Sequence, residues 1–143
     1  MTVIFSKACE LGLQAVLFLS IKKEKVIFNA EEVSNELKVP KEFVSKVLQI
    51  LTNSGIVGSK KGKSGGFYLA KSPANIRLID IVEAIDGLEV FKSCVLGFHG
   101  CSSEKPCPVH DKWGKLRDEA FKMLSEETLE QLKEKTIQKI TSL

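Results

Sequence analysis

Two predicted helices and a hairpin between residues 29 and 70 restrict the fold of this 143-residue chain more than any other feature. Asn29 and Glu32 have the spacing of a capping box and open a short helix. A two-residue turn separates it from a second helix, which starts at Pro40, carries an apolar face at helical spacing and ends at Gly55. Two helices joined by so short a turn predict a helix-turn-helix.

A basic hairpin follows directly. Residues 56–60 and 67–70 have the pattern of two strands, and residues 61–66 form a glycine-rich turn between them. Such a hairpin after a helix-turn-helix is typical of a wing, whose glycines allow the backbone to approach phosphates. Three lysines of this wing can neutralise phosphate charge: Lys60, Lys61 and Lys63.

Charge is concentrated in the same part of the chain. The net charge is +3, but residues 38–71 contain seven lysines and one acid, so this segment is +6 and the remainder is −3. A basic segment in an otherwise mildly acidic chain indicates contact with a nucleic-acid backbone, although charge alone also fits a solvated lysine face. The polar face of the second helix offers groups that a major groove accepts: Lys41, Glu42, Ser45, Lys46 and Gln49.

Four further helices complete the pattern. The first spans about residues 7–22, is capped by Ser6 and is apolar on nearly all sides, which predicts a buried central helix. A second spans about residues 77–86. After residue 107, apolar residues recur at heptad spacing, which suits packing against a partner helix or against the chain's own core. This heptad seam consists of Val109, Trp113, Leu116, Ala120 and Met123. Ser125 is predicted to cap a last helix.

The cysteine loop, residues 94–110, predicts a metal site. It holds three of the four cysteines, Cys94, Cys101 and Cys107, and both histidines, of which His110 is the candidate ligand and His99 is expected to be merely exposed. Pro108 suits a first helical position, so Cys107 is the predicted N-cap, where the helix dipole favours a thiolate. The C-x6-C-x5-C spacing is wider than that of most structural zinc sites and favours an iron-sulfur cluster whose fourth ligand lies elsewhere. Zinc and ordinary reduced thiols are the alternatives.

Several classes of protein are disfavoured. The first five residues lack a basic signal segment, and the apolar run of residues 11–21 is shorter than the roughly 20 residues of a membrane span. We therefore expect a cytoplasmic protein with no membrane partner and no structural disulfide. Neither a paired acid and base nor a nucleophile with a partner is evident, so we do not expect an enzyme.

In this order and spacing, the segments resemble the IscR/NsrR family of winged-helix transcription regulators over nearly the whole chain. The matching segments are residues 6–10, 40–48, 53–57, 61–69 and 80–87, together with the three cysteines. The resemblance implies a mainly α fold, a winged helix-turn-helix with a two-stranded wing and a long C-terminal dimerisation helix. It divides the chain into a DNA-binding domain (1–87), a cysteine cluster loop (88–110) and a dimerisation helix with the C-terminal helix (108–143).

The resemblance also implies a homodimer that binds double-stranded promoter DNA. Its promoter affinity would be controlled by an iron-sulfur cluster, 2Fe-2S or 4Fe-4S, that senses redox state, nitric oxide or iron-sulfur status. The alternative is a cluster-free regulator of the same fold that senses through cysteine oxidation or a protein partner. A zinc-bound interaction module that does not bind DNA is a further alternative from another class.

Matched position by position, the resemblance implies that Cys94, Cys101 and Cys107 hold the cluster, with Glu10 from the partner subunit or His110 as a further ligand. The predicted DNA-contacting residues are Ser6, Lys7, Lys41, Ser45, Lys46, Lys60, Lys61 and Lys63. The first cysteine gap is one residue longer than the C-x5-C-x5-C of the family, so the cluster type and the fourth ligand stay open. The signal, the operator sequence and the sign of regulation stay open as well.

Overall fold

The computed structural model of the chain describes residues 4–22 and 25–143 and is mainly helical with one two-stranded antiparallel sheet. The helices are α1 (Lys7–Ile21), α2 (Ala30–Leu37), α3 (Lys41–Asn53), α4 (Leu78–Ile85), α5 (His110–Glu126) and α6 (Leu129–Thr141). The strands are β1 (Val57–Lys60) and β2 (Gly66–Leu69), and single 3-10 turns occupy Pro73–Asn75 and Glu89–Phe91. This confirms the predicted fold class; residues 1–3 and 23–24 of the predicted 1–87 domain lie outside the described residues.

The helix-turn-helix forms as the sequence predicts. The backbone N–H of Glu32 donates to the Asn29 side chain at 2.8 Å, and the Glu32 carboxylate accepts from the Asn29 N–H at 3.1 Å, which completes the capping box of α2. Lys38 adopts the left-handed conformation with φ of 57°, and this single residue turns the chain between α2 and α3. Pro40 is the N-cap of α3, and Gly55 follows its end with φ of 83°.

The wing is attached to the segment before α2 in a way that the sequence did not predict. β1 and β2 pair with Val57 opposite Leu69, and the backbone of Phe28 pairs with Phe67 through N–O distances of 2.7 and 2.9 Å. Gly66 has φ of 152°, and a Cβ atom there would lie 2.5 Å from the Phe28 carbonyl oxygen. This attachment therefore requires glycine at position 66.

The core surrounds α1, which confirms its prediction as the central helix. Its buried side chains include Ala15, Val16 and Phe18, all 0% exposed. The last helix also packs on this core, because the Leu129 N–H donates to the Ile76 carbonyl at 2.8 Å and the Leu129 side chain is 0% exposed. Among the described residues, no helix has the combination of length and apolar character needed to cross a bilayer.

Two predicted helix starts are wrong. Val109, not Cys107, is the N-cap of α5, because the His110 N–H donates to the Cys107 carbonyl at 3.1 Å and closes a separate turn before the helix. Ser125 does not cap α6: its hydroxyl donates back to the Phe121 carbonyl, and α5 continues past it. The N-cap of α6 is Thr128, which forms a capping box with Gln131.

We expect Leu48→Ala to lower the free energy of unfolding by about 2–5 kcal/mol, because Leu48 is 0% exposed in α3 and its truncation leaves a cavity. Urea unfolding followed by circular dichroism measures the loss. Leu143→Ala is the matched control, since Leu143 is 45% exposed and its truncation should cost within about 0.5 kcal/mol. Equal losses in the two variants would contradict the assignment of Leu48 to the core.

Candidate metal centre and nucleic-acid interface

The fold brings the three cysteines of the cysteine loop together. Their sulfur atoms all lie within 4.8 Å of one another, and the Sγ atoms of Cys94 and Cys107 are 3.3 Å apart without a bond between them. All three residues are half-buried. The loop closes through tight turns at Gly97 and Gly100, which both have positive φ. Cysteines as far apart as Cys94 and Cys107 in the chain thus form one cluster of sulfur donors.

The first two turns of α5 form one wall of this cluster. The cysteine recess is lined by Lys92, Cys94, Cys101, Cys107, His110, Trp113 and Arg117. His110 Nδ1 lies 3.4 Å from the Sγ of Cys101. The indole N–H of Trp113 donates to the Ser93 carbonyl at 2.8 Å, and Nη1 of Arg117 donates to the same oxygen at 3.2 Å. These two hydrogen bonds fasten the start of the cysteine loop to α5.

Sequence reasoning missed Lys92 and Arg117, and it assigned Trp113 only to the heptad seam. A signal was present in the spacing, because His110, Trp113 and Arg117 follow one another at three and four residues and so share one face of a helix. A helix face that carries three side chains with N–H groups, directly after a loop with cysteines, indicates one wall of a cysteine metal site.

The donor set fits a metal centre. Bonds of about 2.3 Å to a tetrahedral ion place two sulfurs on the order of 4 Å apart, which is compatible with the 4.8 Å limit found for the three cysteines. Iron-sulfur clusters are held by cysteine thiolates, with histidine replacing cysteine in some, and His110 is adjacent to Cys101. The buried Nε of Arg117 also has no hydrogen-bond partner within the described residues, which leaves one donor for an anionic centre.

The thiols differ in acidity. Desolvation raises the pKa of Cys94, but hydrogen bonds from the Cys107 thiol and from the N–H groups of Leu96 and Phe98 outweigh it and lower the pKa to about 7. Desolvation, together with the hydrogen bond to Cys94, raises the pKa of Cys107. The predicted thiolate at Cys107 is therefore not favoured, because desolvation outweighs the hydrogen bond from the Val109 N–H, which alone would lower the pKa.

We expect iodoacetamide to modify Cys94 before Cys107 in the reduced, metal-free protein at pH 8, because only the thiolate is the nucleophile. The rate at Cys94 should fall roughly tenfold for each pH unit below its pKa of about 7. Peptide mass spectrometry with fragmentation assigns each modified site. Burial and the nearby Asp86 carboxylate raise the pKa of Cys9 to about 12, so Cys9 is the internal unreactive control. Equal rates at Cys94 and Cys107 would contradict this difference.

The two candidates for a further ligand lie in different places. His110 contacts the cysteine recess, whereas Glu10 on α1 lines a separate cavity of about 310 Å³. That cavity is also lined by Lys7, Leu11, Gln14, Val39, Pro40 and Phe43. Within one chain, Glu10 is therefore not brought to the three cysteines. Its role as a ligand stays a prediction.

The predicted DNA-contacting residues are mostly on the surface. Lys7, Lys41, Lys46, Lys60, Lys61 and Lys63 are exposed, and Ser45 is half-exposed on α3. Ser6 has a structural role in addition, because its hydroxyl caps α1 by accepting from the Cys9 N–H at 3.0 Å and itself donates to the Asp86 carboxylate. We call the exposed lysines of α3 and of the wing together the basic face.

The heptad seam is not covered by the chain's own core. None of its five residues is buried, and Leu116 and Met123 are 59% and 64% exposed. Leu124 is the only residue of α5 that is buried, in a small cluster with Cys9, Ile79 and Val82. Of the two interpretations of the heptad spacing, the exposed seam favours packing against a partner.

A helix-turn-helix, a basic wing and an appended helix with an exposed apolar side define the class of winged-helix transcription regulators. The family model of the Rrf2 regulators, described as iron-dependent transcriptional regulators, matches residues 5–135. The chain belongs to this Rrf2 family, which confirms the resemblance found in the sequence.

Individual relatives agree with this assignment. The chain is 36% identical over 118 residues to an HTH-type transcriptional regulator of Aquifex aeolicus, covering 81% of each protein. It is 26% identical over 127 residues to the HTH-type transcriptional regulator NsrR of Oceanobacillus iheyensis, covering 88% of this chain and 86% of that protein. The fold is similar to that of CymR of B. subtilis, the global cysteine regulator, with a TM-score of 0.75 at 23% identity over 91% of this chain and 95% of that chain.

Proposed function

We propose that this Rrf2-family regulator is a homodimer whose affinity for promoter DNA is controlled by an iron-sulfur cluster, 2Fe-2S or 4Fe-4S, bound in the cysteine recess. Cys94, Cys101 and Cys107 are its ligands, and His110 or Glu10 of the partner subunit completes the set. The observation that carries the proposal is the convergence of three sulfurs within 4.8 Å on a loop fastened to α5. Such a cluster supplies sensitivity to redox state, nitric oxide or iron-sulfur status.

The proposed division of labour follows the chain. Residues 1–87 read DNA in the cytoplasm, residues 88–110 hold the cluster, and residues 108–143 contribute the dimerisation helix and the C-terminal helix. The cysteine loop connects the winged helix to α5, so ordering this loop sets how the two recognition helices of a dimer are separated. Productive binding needs half-sites about 34 Å apart, and a ligand that prefers one dimer geometry shifts the population towards it.

The basic face is proposed as the DNA-binding surface. We expect the triple variant Lys60→Ala, Lys61→Ala, Lys63→Ala to flatten the dependence of log affinity on log salt, by about 0.9 for each phosphate that the wing no longer neutralises. Fluorescence anisotropy with a labelled promoter duplex over a range of salt concentrations measures this slope.

The matched control removes three lysines from α6, a helix that contains none of the predicted DNA-contacting residues: Lys133→Ala, Lys135→Ala and Lys139→Ala. The charge change is identical, but the slope should stay that of the wild type. An unchanged slope in the wing variant, or equal changes in both, would contradict a wing that binds phosphates.

Anaerobic purification tests the cluster directly. The expected protein is coloured, contains iron and sulfide in stoichiometric amounts, and changes its promoter affinity when the cluster is removed by a chelator. Zinc in place of iron, without salt-sensitive binding to duplex DNA, would instead indicate an interaction module. Promoter affinity that is the same with and without the cluster would contradict the proposed control.

One observation favours a second candidate, a cluster-free regulator that senses through its thiols. Cys94 Sγ and Cys107 Sγ are 3.3 Å apart, so a peroxide could oxidise the pair to a disulfide, with reduction of the peroxide to water. Colourless anaerobic protein would indicate this candidate. Peroxide treatment would then remove two hydrogen atoms from the mass and change promoter affinity.

A further inference from the structure

We infer that Arg117 is a positioning residue of the cysteine recess: its Nε–H donates to a sulfur of the loaded metal site and thereby links the occupancy of that site to α5. The inference rests on the metal site of the proposed function. It adds the residue through which occupancy of that site would act on α5. It concerns the side chain of Arg117, which belongs neither to the ligand set nor to the heptad seam.

Arg117 is already oriented by one hydrogen bond. Its Nη1 donates to the Ser93 carbonyl at 3.2 Å, and the Trp113 indole N–H donates to the same oxygen at 2.8 Å. The two donors lie four residues apart on α5, and the carbonyl that they share immediately precedes Cys94. The guanidinium is therefore held against the backbone that carries the first cysteine.

The Nε of Arg117 lacks an acceptor. It is the one buried side-chain nitrogen or oxygen without a hydrogen-bond partner in residues 4–22 and 25–143. Buried donors in folded proteins nearly always have an acceptor, so this exception indicates a partner that arrives with a ligand. The recess that Arg117 lines also contains the sulfurs of Cys94, Cys101 and Cys107. A metal-bound thiolate is a charged acceptor, whereas a neutral thiol is a weak one.

Charge and shape favour arginine at this position. Three thiolates that converge within 4.8 Å need a nearby cation, and a guanidinium is always protonated. Its fork of N–H groups can bond the Ser93 carbonyl through Nη1 and a sulfur through Nε at the same time, which a lysine ammonium on a flexible stem cannot match. A loaded site thus fixes Arg117 and, through it, the first turns of α5 that lead into the exposed heptad seam.

The test uses Co²⁺ as the probe in the full-length, reduced protein under argon. Affinity is measured by competition with a chelator, and the sulfur-to-cobalt charge-transfer band reports on the electron density of the thiolates. We expect Arg117→Gln to weaken Co²⁺ binding by about 10–100-fold, as is typical when a residue that hydrogen-bonds a metal ligand is removed, and to shift the band. Lys115→Gln, an equal loss of charge at an exposed position of α5, should leave both unchanged.

Arg117→Lys is the second variant and should have an affinity between those of the wild type and Arg117→Gln. A residue that only supports the loop would weaken binding without moving the band of the loaded site, and that result would overturn the inference. Wild-type affinity in Arg117→Lys, or no charge-transfer band in the wild type, would overturn it as well. If Arg117→Gln does not fold by circular dichroism, Arg117→Lys decides.

This experiment separates the inference from the proposed function. It uses neither iron, sulfide nor DNA, so a regulator without an iron-sulfur cluster could still show the Arg117 effect on Co²⁺. Conversely, a coloured, promoter-regulating protein whose Co²⁺ site is insensitive to Arg117 would keep the proposed function and overturn only the inference.

Discussion

Replacing Cys94, Cys101 and Cys107 together by alanine is expected to abolish the visible absorbance of the anaerobically purified protein and every response of its promoter affinity to iron and sulfide. The three sulfurs are the only group of three or more metal-ligand side chains that converge in the part of the chain that the structure describes. Without them no comparable site remains among those residues. Absorption spectroscopy, iron and sulfide analysis and promoter binding measure the three consequences on one preparation.

Cys9→Ala is the matched control, because it also removes a thiol but from the core next to α4, where Cys9 is 0% exposed. It should keep the colour, the iron content and the promoter response. The DNA-binding part should also stay folded in the triple variant, since the recess lies outside the main core. A triple variant that kept both its absorbance and its promoter response would rule out the cluster-gated regulator.

The double variant Leu116→Glu, Met123→Glu is expected to convert a dimer into a monomer and to lower the affinity for a palindromic promoter by about 10²–10⁴-fold. Both side chains are more than half exposed on α5, and two charges on each of two facing helices cannot be buried. A dimer contacts both half-sites of the palindrome at once, and linking two contacts in one molecule raises the overall affinity by this factor over that of one contact. A monomer loses this gain. Sedimentation velocity and promoter titration measure the two effects.

Ile137→Glu on α6 is the matched control, with a 42% exposed apolar side chain changed in the same way outside the seam. It should stay dimeric and bind the promoter normally. The double variant should bind an isolated half-site as weakly as the wild type does, because its basic face is intact. A monomeric wild type, or a dimer that survives both charges, would contradict the role of the heptad seam.

Much of the fold was predictable because its signals are local. The capping box of Asn29 and Glu32, the turn at Lys38 and the end of α3 at Gly55 depend on residues within a few positions of one another, and all three are confirmed. The start of α5 was mispredicted for the same reason. Pro108 fits a first helical position, but the residues from Cys107 to His110 form a separate turn, closed by the hydrogen bond from the His110 N–H to the Cys107 carbonyl.

The candidate metal site was also predictable only in part. The three cysteines could be named from their spacing, since thiolates this close along the chain have few other uses. Their relative acidity could not, because the lowered pKa of Cys94 comes from the N–H groups of Leu96 and Phe98 and from the Cys107 thiol, whose positions depend on how the loop folds. The spacing could have placed Arg117 on the same face of α5 as His110, but not its orientation, because that depends on a carbonyl 24 residues earlier in the chain.

Local signals in the amino-acid sequence were enough to specify the winged helix-turn-helix and the family, because capping, turn chemistry and apolar periodicity act over short separations and recur in fixed order. The folded chain was needed to establish that α6 returns to the core through Ile76 and Leu129, and that α5 leaves its seam exposed. Apolar periodicity marks which face of a helix seeks burial, but it does not specify what covers that face. What covers an apolar face depends on which surfaces come into contact in the folded chain.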